Sequence, residues 1–229
     1  MDALYYSPPL RQNSPCGFDH DLSAGRAPSQ MGWYNLIGKN HRLTGMDVLD
    51  VGCGMGDGVI AMREGGCKSA TGQDSDSRLN NIDPQFITKD VSEIADKSYD
   101  CITCFDVIEH VIDDKLFFDN LCRITRNHLF ITTPNYTRSK AQNHCHCREY
   151  TIPQFCAYFK PDELWSGAPD GWSHITKLLS KTVDGYIDHT RNDVEIKGAL
   201  PEDYSFTHST VDGLEWGHIL GIFNVTSLK

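Results

Sequence analysis

Apolar runs and polar stretches alternate along the chain in the order that a strand–helix–strand protein requires. Val48, Leu49 and Val51 form the short apolar run of a buried parallel strand. Gly52, Gly54, Gly56 and Gly58 follow at every second position, and glycines there predict a tight turn whose backbone approaches a ligand closely. Val59 to Glu64 predicts a helix that Gly65 and Gly66 stop. Residues 69–74 read as a second strand, 86–88 as a short third one, 99–105 as a fourth and 128–133 as a fifth. A helix is expected to begin at Val91-Ser-Glu-Ile, with Asp90 placed to cap it. Leu116, Phe117, Leu121 and Ile124 repeat with helical period inside 113–126, with basic residues at its end.

Upstream, Trp33, Tyr34, Leu36 and Ile37 predict a short amphipathic helix over 30–40. Downstream, Thr151-Ile-Pro-Gln-Phe is a capped helix start running to about 159. Trp165, Gly167, Pro169, Gly171 and Trp172 mark an irregular stretch, 175–179 reads as a short strand or helix, and 182–201 yields no element. Residues 219–225 are apolar and β-branched enough for a final buried strand. Residues 1–30, rich in Pro, Ser, Gly and Asn, read as an arm. The expectation is one α/β domain over 1–229, with arm and cap in 1–40, a ligand-binding core in 45–155 and a substrate-side segment with the final strands in 156–229.

Composition narrows the function classes. At 229 residues, with 39% hydrophobic and 10% aromatic content, the chain is sized for one globular domain. No apolar run approaches the roughly 18 residues of a membrane span, and the N-terminus lacks a secretory pattern, so the expectation is a cytoplasmic protein without a membrane partner. Nine cysteines without scaffold spacing suggest reduced thiols. A net charge of −10 and only 21 Lys and Arg, with no basic run, argue against long nucleic acid as a partner. The expected partner is a small-molecule acceptor, and the expected state a monomer or homodimer.

Charge also bears on the glycine turn. The spacing Gly-x-Gly-x-Gly-x-Gly departs from the dinucleotide fingerprint Gly-x-Gly-x-x-Gly. Asp50 and Asp57 flank it with no lysine to meet a phosphate, so the site repels a pyrophosphate and suits a cationic ligand. Asp74 lies at the offset at which an acid takes a ribose diol, with Asp76 close behind. Asp106-x-x-Glu109-His110 is the sharpest group: on a helix, positions i, i+3 and i+4 share a face, which aims all three at the cleft. His110 has the ordinary pKa range of a general base. The structural alternative is that Glu109 and His110 only cap and pack the helix start. His144-Cys145-His146-Cys147 and Cys101-x-x-Cys104 lack workable zinc geometry, and no metal is assigned.

Asp-Val-Gly-Cys-Gly-Met-Gly at 50–56 resembles the glycine motif of class I S-adenosylmethionine-dependent methyltransferases. The resemblance implies a Rossmann-like seven-stranded sheet with helices on both faces and the last strand antiparallel. It implies S-adenosyl-L-methionine as cofactor, held by Asp50, Gly52, Cys53, Gly54, Gln73, Asp74 and Phe105, with Asp90 at the adenine amino group and Val91 on the ring. The helix over 30–40 would cover the cofactor, or simply close the core edge. Asp106-Val-Ile-Glu-His-Val resembles the segment found in methyltransferases that act on hydroxyl groups, the ubiquinone-biosynthesis type included. It implies His110 as base, with Glu109 and Asp106 supporting. His146-Cys-Arg-Glu-Tyr-Thr resembles a segment beside the substrate cleft in sugar- and small-molecule-modifying members, which brings in His146.

The function implied is methyl transfer to a hydroxyl or amine of a small molecule, sugar or nucleotide. A second resemblance, to ribose 2′-O-methyltransferases of small-RNA ends, makes Asp106, Glu109, His110 and His146 a divalent-metal group suited to Mg²⁺, Mn²⁺ or Fe²⁺; the acidic balance ranks it lower. A non-catalytic nucleotide-binding module and a nicotinamide oxidoreductase are the remaining readings, the latter disfavoured by the glycine spacing.

Overall fold

The computed structural model describes residues 30–41, 43–140, 143, 145–168, 175–201 and 217–227. The expected arm over 1–30 (except Gln30), His144 and the irregular stretch around Trp172 lie outside them. Helix α1 (Met31–His41) leads into β1 (Asp47–Val51), α2 (Asp57–Glu64) and β2 (Ser69–Gln73). Next come β3 (Tyr99–Phe105), α3 (Asp114–Ile124), β4 (Thr125–Pro134), the single turn α4 (Tyr136–Ser139) and α5 (Ile152–Phe159). Five further strands close the described chain: β5 (Glu163–Gly167), β6 (Thr176–Lys181), β7 (Gly185–Asp188), β8 (Val194–Lys197) and β9 (His218–Asn224).

All nine strands form one sheet in the order β2-β1-β3-β4-β9-β5-β6-β7-β8. The first four are parallel, and β9 runs antiparallel to both β4 and β5. The fold is therefore the Rossmann-like α/β class, with nine strands rather than seven. Relative to the expected seven, three strands are gained, the meander β6-β7-β8 outside β5. Apolar patterning reaches only its first member, read as a short strand or helix over 175–179, because the three are four to six residues long and none is buried along its whole length. The expected third strand is also absent: around 86–88 only Ile87 makes an isolated bridge, to Gln73. The helix expected at 91 is a single 3₁₀ turn, Val91–Glu93, closed by a capping box between Asp90 and Glu93.

Alternation along the central strands divides the core in two. Val48, Cys101, Phe105 and Phe130 face Trp33, Tyr34 and Ile37 of α1 and Val59 and Met62 of α2. Leu49, Val51, Ile102, Cys104 and Leu129 face Phe118 and Leu121 of α3 and Phe155 and Phe159 of α5. Period-2 side chains buried on both faces are what an α/β sheet demands. Cys101 and Cys104 thus lie on opposite faces and cannot share a ligand. Seven described cysteines are free thiols, as expected; Cys145 is the exception, being disulfide-bonded. Spacing excludes a disulfide scaffold but carries no information on a single crosslink.

Gly221, in the middle of β9, sits between Ile131 of β4 and Leu164 of β5. A Cβ there would lie 2.6 Å from Cε1 of the buried Phe155 ring. Gly221→Ala is expected to destabilise the fold by about 1–3 kcal/mol through overpacking, read as a lower urea midpoint at unchanged slope.

Candidate active site

The order β2-β1-β3 reverses the direction of winding at β1, and in open α/β sheets ligands bind where that reversal splits the carboxyl ends of the strands. A cavity of about 260 Å³ occupies the place. Val51 and Gly52 from the end of β1, Gln73, Asp74 and Ser75 from the end of β2, and Asp106 and Val107 from the end of β3 line it, with Asp90, Val91, Val111 and Phe117. Three carboxylates and no lysine or arginine stand among these residues. That set repels a diphosphate and matches a ligand with an ammonium, a sulfonium, a ribose diol and an adenine ring. Asp74 also braces the turn: its Oδ2 accepts from the Gly54 N–H (3.1 Å) and its Oδ1 from the Asp76 N–H (3.0 Å). Asp90 serves twice, bordering the cavity while accepting from the Ser92 N–H at 2.8 Å.

The turn has little room for anything but glycine. Gly52 adopts φ +70, and a Cβ on it would meet Cγ2 of Val107 at 2.2 Å. The Gly52 and Cys53 N–H groups both donate to the Gln73 carbonyl (2.7 and 3.0 Å), tying β1 to β2 at the cavity floor. Asp50 lies beneath the turn rather than in the cavity and is 1% exposed. Its carboxylate accepts from Thr103 Oγ1 (2.6 Å) and from the Tyr34 hydroxyl at 3.0 and 3.1 Å to its two oxygens. Burial drives its pKa up to about 7, against the pull of those two hydrogen bonds. Cys53 is turned inward against Gly72, and the Phe105 ring packs tilted against Tyr34 with centroids 4.6 Å apart. Neither is among the residues lining the cavity, where the sequence reading expected them; both pack in the cluster on the α1 side, Phe105 by the pleat of β3 and Cys53 by the glycine turn.

The segment after β3 departs from the expected helical face. Asp106 sits in the left-handed region (φ 54), and only Ile108–His110 turn, as a 3₁₀ helix. The break separates the three polar groups. Asp106 goes to Thr132 Oγ1 (2.9 Å), to Gln30 Nε2 and to His218 Nε2 (3.1 Å). Glu109 and His110 instead converge on His146, with one ligand atom of each within 4.8 Å of the others. The imidazoles of His110 and His146 meet edge to face at 4.7 Å. His110 Nδ1 lies 3.1 Å from the Cys145 carbonyl, which fixes Nδ1 as the protonated nitrogen and puts the lone pair on Nε2. Burial, then the neighbouring His146, lowers the His110 pKa. His146 Nδ1 is 2.5 Å from Glu149 Oε1. Glu109 is fully buried, and neither of its oxygens has a hydrogen-bond partner among the described residues. Burial, reinforced by the charge of Asp106, raises its pKa well above the carboxylate range.

The profile of the methyltransferase-domain family matches residues 31–166. The chain belongs to this family. It is a class I S-adenosylmethionine-dependent methyltransferase, and S-adenosyl-L-methionine is its cofactor. Two curated relatives are ubiquinone biosynthesis O-methyltransferases. That of Rickettsia akari is 25% identical over 190 residues, 72% of each chain. That of Pseudomonas paraeruginosa is 24% identical over 201 residues, covering 77% of this chain and 83% of its own. Among solved structures, magnesium protoporphyrin IX methyltransferase from Synechocystis PCC 6803 superposes with TM-score 0.52 at 14% identity, over 85% of this methyltransferase and 80% of that chain. YcgJ from Bacillus subtilis does so with TM-score 0.50 at 17% identity, over 58% and 71%. These superpositions bear on the fold.

Of the residues singled out in the sequence, Gly52, Gln73, Asp74, Asp90, Val91 and Asp106 border the methyltransferase cavity. Glu109, His110 and His146 form a separate cluster beyond Asp106 and Val107. Gln30 and His218 were not foreseen, because each lies far in sequence from Asp106 and carries no local motif. The buried Asp50 generates a pH prediction. An unfolded aspartate titrates near roughly 3.9 and the folded one near 7. The native state therefore keeps a proton that the unfolded chain loses, and stability falls as pH rises through this window. Asp50→Asn should flatten that fall, and urea midpoints at pH 5 and pH 8 for both proteins test it; equal slopes overturn it.

Proposed function

We propose that this methyltransferase moves a methyl group from S-adenosyl-L-methionine to a hydroxyl of a small molecule, with His110 as the general base. The observation that carries the reading is the anchored tautomer of His110. With Nδ1 committed to the Cys145 carbonyl, Nε2 is the proton acceptor, on the turn that leads out of the cofactor cavity. A depressed pKa keeps the ring neutral, and so able to accept, at physiological pH. Glu109 and His146 bound the same space and hold the acceptor. Gly52, Gly54, Gln73, Asp74, Asp90 and Val91 hold the cofactor, Asp74 at the ribose and Asp90 with Val91 at the adenine; Asp106 faces its cationic end, while Asp50, Cys53 and Phe105 support the turn from below. Bound there, the cofactor supplies an electrophilic methyl on a sulfonium. The protein's part is alignment and removal of the acceptor's proton. The O-methylating relatives support oxygen over nitrogen as the acceptor atom.

His110→Ala should leave S-adenosyl-L-methionine binding within about twofold while lowering turnover by roughly 10²–10⁴-fold, the usual contribution of a general base. The assay pairs calorimetric titration with methyl transfer to a panel of hydroxylated small molecules and matched amines. Unchanged turnover, or methylated amines alone, refutes the reading.

The orphaned carboxylate of Glu109 favours one second reading. Glu109, His110 and His146 offer a carboxylate and two imidazoles, a donor set for Mn²⁺ or Fe²⁺ with an acceptor oxygen completing the shell. Glu149 beside His146 Nδ1 is the carboxylate that commonly orients a ligating histidine. Dialysis against a chelator separates the two: a base alone predicts turnover within about twofold of the untreated enzyme. Loss that Mn²⁺ or Fe²⁺ restores selects the metal.

A further inference from the structure

We infer that His218, together with Gln30, is a positioning residue of methyl transfer that acts through Asp106. The inference rests on the proposed reading that Asp106 faces the cationic end of the cofactor.

Asp106 is held more elaborately than a surface carboxylate needs. Its backbone is in the left-handed region, where a non-glycine residue persists only if its surroundings over-determine it. Its N–H donates to both the carbonyl and the hydroxyl oxygen of Thr132, each at 3.1 Å. Its Oδ1 accepts from that same hydroxyl. Its Oδ2 takes two donors that come from opposite ends of the described chain: Gln30, one residue before α1, and His218, the first residue of β9. The side chain they fix borders the cofactor cavity beside Gly52 and Val107.

His218 is poorly explained by packing. It is 8% exposed, and its Nδ1 is buried with no hydrogen-bond partner among the described residues. An apolar residue would fill the place without leaving a nitrogen unsatisfied. What the imidazole adds is one donor, spent on Asp106. That donor is one of three side-chain donors to Asp106, with Thr132 and Gln30, and together they hold its carboxylate below the ordinary range against the upward push of burial.

The test is a double-mutant cycle read by calorimetric titration of the full-length protein with S-adenosyl-L-methionine. His218→Leu should raise the Kd about tenfold, and Asp106→Asn should raise it at least as much. The double variant should be no weaker than Asp106→Asn alone, since the histidine acts only through the aspartate. His218→Gln, which keeps a donor, should bind within about threefold of wild type at the melting temperature of His218→Leu. Should His218→Leu fail to fold, Gln30→Met removes the other donor to the same oxygen and is expected to weaken binding about threefold. Wild-type affinity in His218→Leu, additive losses in the double variant, or failure of His218→Gln to rescue overturns the inference. If instead the wild-type protein does not bind the cofactor, the proposed role of the whole cavity falls with it, and the two failures are told apart by that control.

Discussion

A single buried carboxylate holds the ligand-binding end of the sheet together. Asp50 reaches up from β1 to the hydroxyl of Tyr34 on α1 and across to Thr103 on β3. Three elements distant in sequence thus meet on one side chain directly beneath the glycine turn. Tyr34 passes the constraint on. Its ring lies so close to Gly58, at the start of α2, that a Cβ there would sit 2.2 Å from Cζ, and it also packs tilted against Phe105. The turn is therefore clamped between Asp50 below, Tyr34 beside it and Val107 across from it. An unpaired carboxylate at this depth would cost several kcal/mol, so its donors are a condition for the strand end to be built at all.

Above that clamp the site is an exercise in placing negative charge. Asp74, Asp90 and Asp106 border the cavity, and Glu109 lies just beyond it. Each is handled differently. Asp74 and Asp90 accept backbone N–H groups, which fix where their oxygens point. Asp106 is paired with His218, and Glu109 is left unsatisfied in an apolar setting that disfavours its charge. The outcome is a cavity wall suited to a cation next to a pocket of imidazoles suited to a proton. Division of labour between neighbouring acids by environment is how one fold runs both kinds of chemistry at one pH.

Much of this was legible in the sequence wherever the signal was local. Tyr99–Phe105, the apolar run of β1 and the helix beginning at Asp114 carry their periodicity in a few consecutive residues, and the structure has them there. The acids at 74 and 106 follow the ends of β2 and β3, so the topology brings them together. Illegible was whatever depends on a partner far along the chain. The left-handed Asp106 broke the assumed helix face, an outcome set by Thr132, Gln30 and His218 rather than by its neighbours. Phe105 and Cys53 were expected in the cavity by proximity to the motif, but both pack in the cluster on the α1 side of the sheet. The β6-β7-β8 meander was legible only as a short strand or helix over 175–179, because strands this short, none buried along its whole length, resemble loops in composition.

The position of β9 has a consequence for how the chain is made. It comes after every other described strand, yet it is inserted between β4 and β5 and supplies His218 to Asp106 at the cavity wall. While the ribosome is still translating residues 160–200, β4 and β5 have no shared neighbour, and their inner edges stand open to stray pairing. The parallel half and the antiparallel half can only be joined once the sequence around 218–224 has left the exit tunnel. Joining the two halves is thus the last step in assembling the described sheet, and the edges of β4 and β5 can be sealed only by a segment made after both.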